Sequence, residues 1–278
     1  MEYSERIEIR RKRVVLALVL SSYMIVGIDG SLVITAITEI AADLHLDHTA
    51  LSWVQNAYVL AFGGFMLAGG RLGDMYGRRL MFIISLVLFG IGSLGSGLSP
   101  TAVWMIASRF VQGIGSAIMA PAALGLIVDY FEGKERVKAV AWYGSISGLG
   151  LCVGLVLGGA ITSYGSWRWG FLVNIPIISM MLVGSVRWLR KSSYSETSFD
   201  YGGSVLSAIA AFSLIYALDG AVWPWVWVTI GCVSLVALIL VERKARLPII
   251  PMDLFRSATR CNGYISRFLM IGALMGYN

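Results

Sequence analysis

Residues 70–80 read Gly70-Arg71-Leu72-Gly73-Asp74-Met75-Tyr76-Gly77-Arg78-Arg79-Leu80, and long apolar runs lie on both sides, at 51–70 and 80–98. A helix that crosses a bilayer needs roughly 20 apolar residues, because it must cover about 30 Å of hydrocarbon while satisfying its own backbone. Both flanks meet that length, so the stretch is a tight hydrophilic connection between two membrane-crossing helices. Gly73 and Gly77 permit a sharp turn, Asp74 places a carboxylate at a helix end, and Arg78 and Arg79 can reach it. An ion pair there can hold two helices in one arrangement and release them in another. The same charges also suit an ordinary basic loop beside a membrane.

The rest of the chain follows that pattern. It has 278 residues, of which 57% are hydrophobic and 14% charged. A soluble domain carries about 25% charged residues, so lipid is the expected solvent here. Eight apolar spans are expected, at 14–37, 51–70, 80–98, 102–128, 139–163, 169–186, 201–218 and 222–241. A ninth begins near Cys261. Beyond Arg267 only Phe268 to Asn278 remain, about 16 Å of helix at 1.5 Å per residue. The chain is therefore expected to stop inside a helix, as a fragment of a longer protein. The first span is too long for a signal peptide and holds an acidic residue, so it is expected to stay uncleaved.

With the N-terminus in the cytoplasm, 19 of the 22 basic residues fall in inside segments. These are Arg6 to Arg13, Arg71 to Arg79, Lys134 to Lys138, Arg187 to Lys191 and Arg243 to Arg260. Such a split sets the orientation of a multi-pass protein of the cell membrane. The net charge of +6 is thus a membrane signature and implies no nucleic-acid partner. Trp53, Trp104, Trp167, Trp169, Trp223, Trp225 and Trp227 fall at outer helix ends and are expected as interface anchors. Cys152, Cys232 and Cys261 lack metal-ligand or redox spacing. His45 and His48 lie in an outer loop without a nucleophile, nothing resembles an enzyme site, and no phosphate-binding loop is present.

Two ionisable residues interrupt the apolar spans. Asp29 lies in the first and Arg109 in the fourth, and Gln112 follows Arg109 by one turn so that both can share a face. Charges at such depth are costly and are functional candidates by default. Asp29 can take and release a proton or serve as a structural hydrogen-bonding group; Arg109 can face a partner or snorkel toward the outer interface. In the fifth span Gly150, Gly154 and Gly158, with Gly159, form a stripe that lets another helix approach closely.

The run at 70–80 resembles the major facilitator signature G-x-L-a-D-r-x-G-r-r between helices two and three, with Gly73 and Met75 departing from it. RFVQGIGSA at 109–117 is similar to the family's R-x-x-Q-G-x-G-a-a run, and GLCVGLVLGG at 150–159 resembles its antiporter motif, with Leu155 in place of the proline. IDGSLVITA at 28–36 resembles a helix-one motif, and WRWGFLVNIP at 167–176 resembles the start of helix six in 14-helix drug:proton antiporters.

The resemblance covers essentially the whole chain. It implies an all-α integral membrane fold with a six-helix N-terminal bundle at 1–190 and a cytoplasmic linker at 191–200. An extra helix pair follows at 201–241, then a cytoplasmic loop and the start of an incomplete C-terminal bundle at 242–278.

The implied activity is proton-coupled export of amphipathic or cationic drugs or metabolites by alternating access, with lipid, protons and a small molecule as partners. No cofactor is implied; a proton gradient supplies the energy. Asp29, Arg109 and Gln112 are the implied proton and substrate pathway, with Asp29 and Arg109 expected to face a central cavity. Gly70, Asp74, Gly77, Arg78, Arg79 and Asp129 are the implied conformational latch, and the missing bundle is needed for a full pathway. The replaced proline leaves open a permease for a sugar, organic acid or siderophore, and a non-transporting truncated membrane protein remains a further alternative.

Overall fold

The computed structural model describes residues 2–191, 201–218 and 222–244, with single residues and short pieces between 257 and 269. Residues 192–200 of the linker expected at 191–200, residues 245–256 of the loop expected from 242, and most of the expected ninth span lie outside these residues. Among the described residues the helices are α1 (Glu2–Asp43), α2 (His48–Tyr76), α3 (Arg78–Gly97), α4 (Ala102–Tyr130), α5 (Gly133–Tyr164), α6 (Arg168–Leu172), α7 (Asn174–Trp188), α8 (Tyr201–Leu218) and α9 (Pro224–Lys244).

Seven helical stretches are long and apolar enough to cross a membrane, counting α6 and α7 as one; α8 adds a shorter apolar stretch, Val205–Ala217. Two spans differ from expectation. The first helix does not begin at the apolar run but at Glu2, well before it. Its charged extension finds partners: Arg11 and Arg190 meet Glu8 at 3.1 and 2.7 Å, and Lys12 meets Glu135 at 2.8 Å. The sixth span is broken at Val173. Pro176 has no N–H to offer the Leu172 carbonyl four residues back, so the helical ladder lapses there.

Lipid offers no hydrophobic drive between helices, so close packing must hold them together. The fourth helix lies between α2 and α3. Its glycines make that possible: a Cβ on Gly113 would sit 2.5 Å from the Tyr58 carbonyl, and one on Gly115 would sit 2.6 Å from the Phe89 nitrogen. The first helix pairs with α5, and α8 and α9 form a hairpin leaning on α2.

Two apolar cores result. One gathers Val15, Ile25, Phe82, Phe89, Met119, Ile127 and Ile178 toward the end of the bundle that carries the basic residues. The other gathers Val33, Ile40, Val54, Met105, Trp167 and Phe171 at the opposite end. On α1, α4 and the α6–α7 pair, the residues between the cores are Asp29, Arg109 with Gln112, and Asn174. Polar groups therefore occupy one layer between two dry ones.

Trp167 departs from its expected place as an interface anchor. It is 3% exposed, because its indole N–H donates to the Asp43 carboxylate (3.2 Å) while its ring packs on Phe171.

Candidate functional site: a buried Arg–Asp cluster and a half-exposed latch

The polar layer is built from four helices and a helix break. Arg109 donates from Nη1 to Asp29 Oδ2 at 2.7 Å and to Gln112 Oε1 at 2.8 Å, and from Nε to the Val54 carbonyl at 3.3 Å. Gln112 Nε2 donates to the other carboxylate oxygen, Asp29 Oδ1, at 2.7 Å. The one-turn spacing of Arg109 and Gln112 thus lets a guanidinium and an amide grip one carboxylate at both oxygens. The guanidinium carbon lies 4.4 Å from the Tyr58 ring centroid, and the Tyr58 hydroxyl donates to Ser116 at 2.7 Å. A cation over an aromatic face gains further attraction when desolvated.

Asn174, the first residue after the helix break, completes the cluster. Its amide nitrogen donates to Asp29 Oδ1 at 3.3 Å and to Ser93 Oγ at 2.9 Å, and Ser93 in turn donates to the Phe171 carbonyl at 2.9 Å. The amide oxygen of Asn174 is buried and accepts nothing. A buried acceptor left unmade costs about 1–3 kcal/mol, so its retention calls for a reason.

Asp29 is fully buried and Arg109 is 1% exposed. They face each other as expected, but they do not line a central cavity. The bundle's own helices enclose them, with Gln112, Asn174 and the Val54 carbonyl bonded to the pair. Snorkelling by Arg109 is excluded by the same burial.

The glycine stripe of α5 supports this layer from outside. A Cβ on Gly154 would lie 2.7 Å from the Ile28 Cα, one residue from Asp29, and one on Gly150 would lie 2.7 Å from the Met24 carbonyl. Gly158 meets Thr35 and Leu32 in the same way. Gly159 meets nothing within 4 Å and does not belong to the stripe, since adjacent helical residues point about 100° apart.

The residues expected to form the latch lie at the basic end. Gly77 alone separates α2 from α3 and adopts φ 91°, a conformation that side chains rarely tolerate. That turn aims Arg78 at α4, where it pairs with Asp129 and donates to the Gly125 carbonyl at 2.8 Å. Asp74 stands back from Arg78 at 3.8 Å and is half exposed. Arg79 does not join this group; it donates to the Val186 carbonyl on α7 at 2.8 Å. Nor does Gly70 make the close approach: a Cβ there would meet Pro121 at an ordinary 3.7 Å, whereas one on Gly69 would come within 2.8 Å of the Ala117 carbonyl. Pro121 has deprived that carbonyl of its helical partner.

Comparison with known proteins places these features in a family. The chain is 36% identical over 265 residues to the puromycin resistance protein pur8 of Streptomyces alboniger, covering 92% of this chain and 52% of that protein. It is 33% identical over 273 residues to multidrug resistance protein 3 of Bacillus subtilis, covering 95% and 53%. The MFS-type transporter EfpA of Mycobacterium tuberculosis is 36% identical over 260 residues, covering 91% and 49%. The chain thus spans about half the length of these curated relatives. In fold it is similar to the proton:xylose symporter XylE, with a TM-score of 0.58 at 13% identity, over 84% of this chain and 53% of that one. A bacterial homologue of the lysosomal transporter Spinster gives 0.55 at 17% identity, over 83% and 60%. The family model described as Major Facilitator Superfamily matches residues 19–258, which include the buried cluster, the latch and the glycine stripe, and this integral membrane chain belongs to that superfamily.

Proposed function

We propose that this chain supplies the first bundle, at 1–190, and an extra helix pair, at 201–241, of a proton-coupled exporter of amphipathic or cationic drugs or metabolites, working by alternating access. The observation that carries the reading is the buried Asp29–Arg109 pair. A buried ionisable pair is an expensive structural device, and proton relays are among its known uses at membrane depth. Relatives named for drug resistance support the substrate class. Protonation of Asp29 removes the charge that holds Arg109, so a proton and a rearrangement of α1 against α4 become linked.

The basic end faces the cytoplasm in this reading, which puts the N-terminus and Arg78 inside and Asp47 and Trp223 outside. Ser195, expected inside, lies outside the described residues. A second reading, uptake of a sugar or organic acid, is favoured by one observation: α5 runs without a proline, because Leu155 stands where the antiporter motif bends the helix.

The test uses everted vesicles containing the chain together with a second bundle, energised by an acid interior and given a fluorescent organic cation outside. Accumulation that collapses with a protonophore and disappears in Asp29→Asn is expected. Undiminished accumulation in Asp29→Asn removes the proton role, and gradient-driven efflux of a sugar without cation movement favours the second reading.

A further inference from the structure

We infer that Asn174 is the positioning residue that reads the protonation state of Asp29 and transmits it to the break between α6 and α7. The inference rests on the proposed proton role of Asp29 and goes beyond it.

Asp29 Oδ1 is held by two neutral amides, Gln112 and Asn174, while Oδ2 is held by Arg109. A proton that lands on Oδ1 turns an acceptor into a donor, and both amides then present it with N–H groups. One amide must turn. The Gln112 carbonyl already accepts from Arg109, so rotating it would strip a charge-assisted bond. The Asn174 carbonyl accepts nothing and is fully buried. A half-turn of the Asn174 amide lets its oxygen, which gives up no bond, accept the new Asp29 O–H; the cost falls on Nδ2, which gives up Asp29 and Ser93.

The turn has a consequence on the far side. Asn174 Nδ2 now donates to Ser93, which leaves the Ser93 hydroxyl proton for the Phe171 carbonyl at the end of α6. After the half-turn Ser93 faces an acceptor, and its hydroxyl swings from Phe171 to Asn174 Oδ1, which has a second lone pair. One proton gained at α1 thus releases the carbonyl that ties α3 to α6, where Pro176 has already interrupted the helix. The α6 segment also carries the opposite-end clamp: Arg168 reaches Asp43 at 2.9 Å and the Ser99 carbonyl at 2.7 Å. Among the described residues, the titratable groups interacting with Asp29 are Arg109 from α4 and Tyr58 from α2, while α7 presents Asn174, behind which stand Ser93 of α3 and the Phe171 carbonyl of α6. Among the groups bonded to Asp29, Asn174 alone carries an oxygen with no partner; Ser96 Oγ, one turn from Ser93 on α3, is likewise buried without one.

The experiment is an infrared difference titration with pH of the purified chain in lipid nanodiscs, with carbon-13 label on asparagine. Loss of a band in Asp29→Asn assigns the Asp29 carboxyl, and loss in Asn174→Leu assigns the Asn174 amide; Asn174→Thr serves if the leucine variant does not insert. The Asn174 amide band is expected to shift with the same midpoint as the appearance of the Asp29 carboxylic acid. An Asp29 acid band that appears while the Asn174 band stays fixed overturns the inference and leaves the proton role intact. Absence of any Asp29 acid band across the titration overturns both.

Discussion

Two of the arginine–aspartate pairs among the described residues, Arg109–Asp29 and Arg78–Asp129, differ in their surroundings, and that makes them different objects. Asp29 and Arg109 are each 1% exposed, between two apolar cores, with every contact supplied by protein. Arg78 and Asp129 are 29% and 41% exposed at the basic end, beside an open cleft. Exposed pairs contribute about 0–1 kcal/mol, because water competes for both partners. Breaking a buried pair from one side costs about 3–5 kcal/mol, since the remaining charge is stranded. The first pair is therefore expected to contribute more to the stability of the bundle than the second.

The largest expected effect comes from halving the buried pair. Arg109→Ala removes the cation partner of the buried Asp29 and is expected to lower stability by about 3–5 kcal/mol, measured by unfolding of the purified protein in mixed micelles. Asp29→Asn with Arg109→Gln removes both charges and is expected to recover more than half of that loss. If Arg109→Ala costs no more than Arg78→Ala, the two pairs do not differ as their burial implies.

A smaller effect tests how the dry layer is braced. Gly154→Ala puts a methyl against the α1 backbone at Ile28 and is expected to cost about 1–3 kcal/mol, the usual range for overpacking. Gly159→Ala, which meets open space, is expected to be neutral or slightly stabilising. Equal costs at the two positions would show that α1 and α5 do not meet along the stripe.

How much of this could be read from the sequence follows the same division. Asp29 and Arg109 were legible because a charge inside an apolar span has few reasons to exist, and Gln112 because it falls one turn from Arg109. Asn174, Ser93 and Tyr58 were not: neutral polar residues are common in membrane helices, and periodicity does not say which of several faces the bundle turns inward. The signals for Asn174 were its place in the WRWGFLVNIP run and its position two residues before Pro176, where a helix break frees a side chain to reach across. At the latch, the sequence placed Asp74, Arg78 and Arg79 in one loop, but the single-residue turn at Gly77 sends the two arginines to different helices. Neighbours in a turn share an origin and not a direction, which also explains why Gly69 rather than Gly70, and Gly158 rather than Gly159, makes the contact.

The smallest expected effect separates the two carboxylates of the latch. Asp129 is in direct contact with Arg78, whereas Asp74 lies at 3.8 Å and is 55% exposed. Asp129→Asn is therefore expected to cost more than Asp74→Asn, within about 1 kcal/mol for the first and a few tenths for the second. Both effects should shrink as salt is raised from 0.05 to 0.5 M (concentrations on the order of these span a Debye length falling from above to below about 10 Å), because exposed charges are screened over that distance. The Arg109→Ala loss should hold constant over the same range, since ions do not enter the layer between the cores. Unfolding free energies of the three variants at low and high salt decide the matter. A salt-sensitive Arg109→Ala would mean that water and ions reach the buried pair, and a salt-insensitive Asp129→Asn would mean that the latch is dry. Either result would collapse the distinction on which the two roles rest.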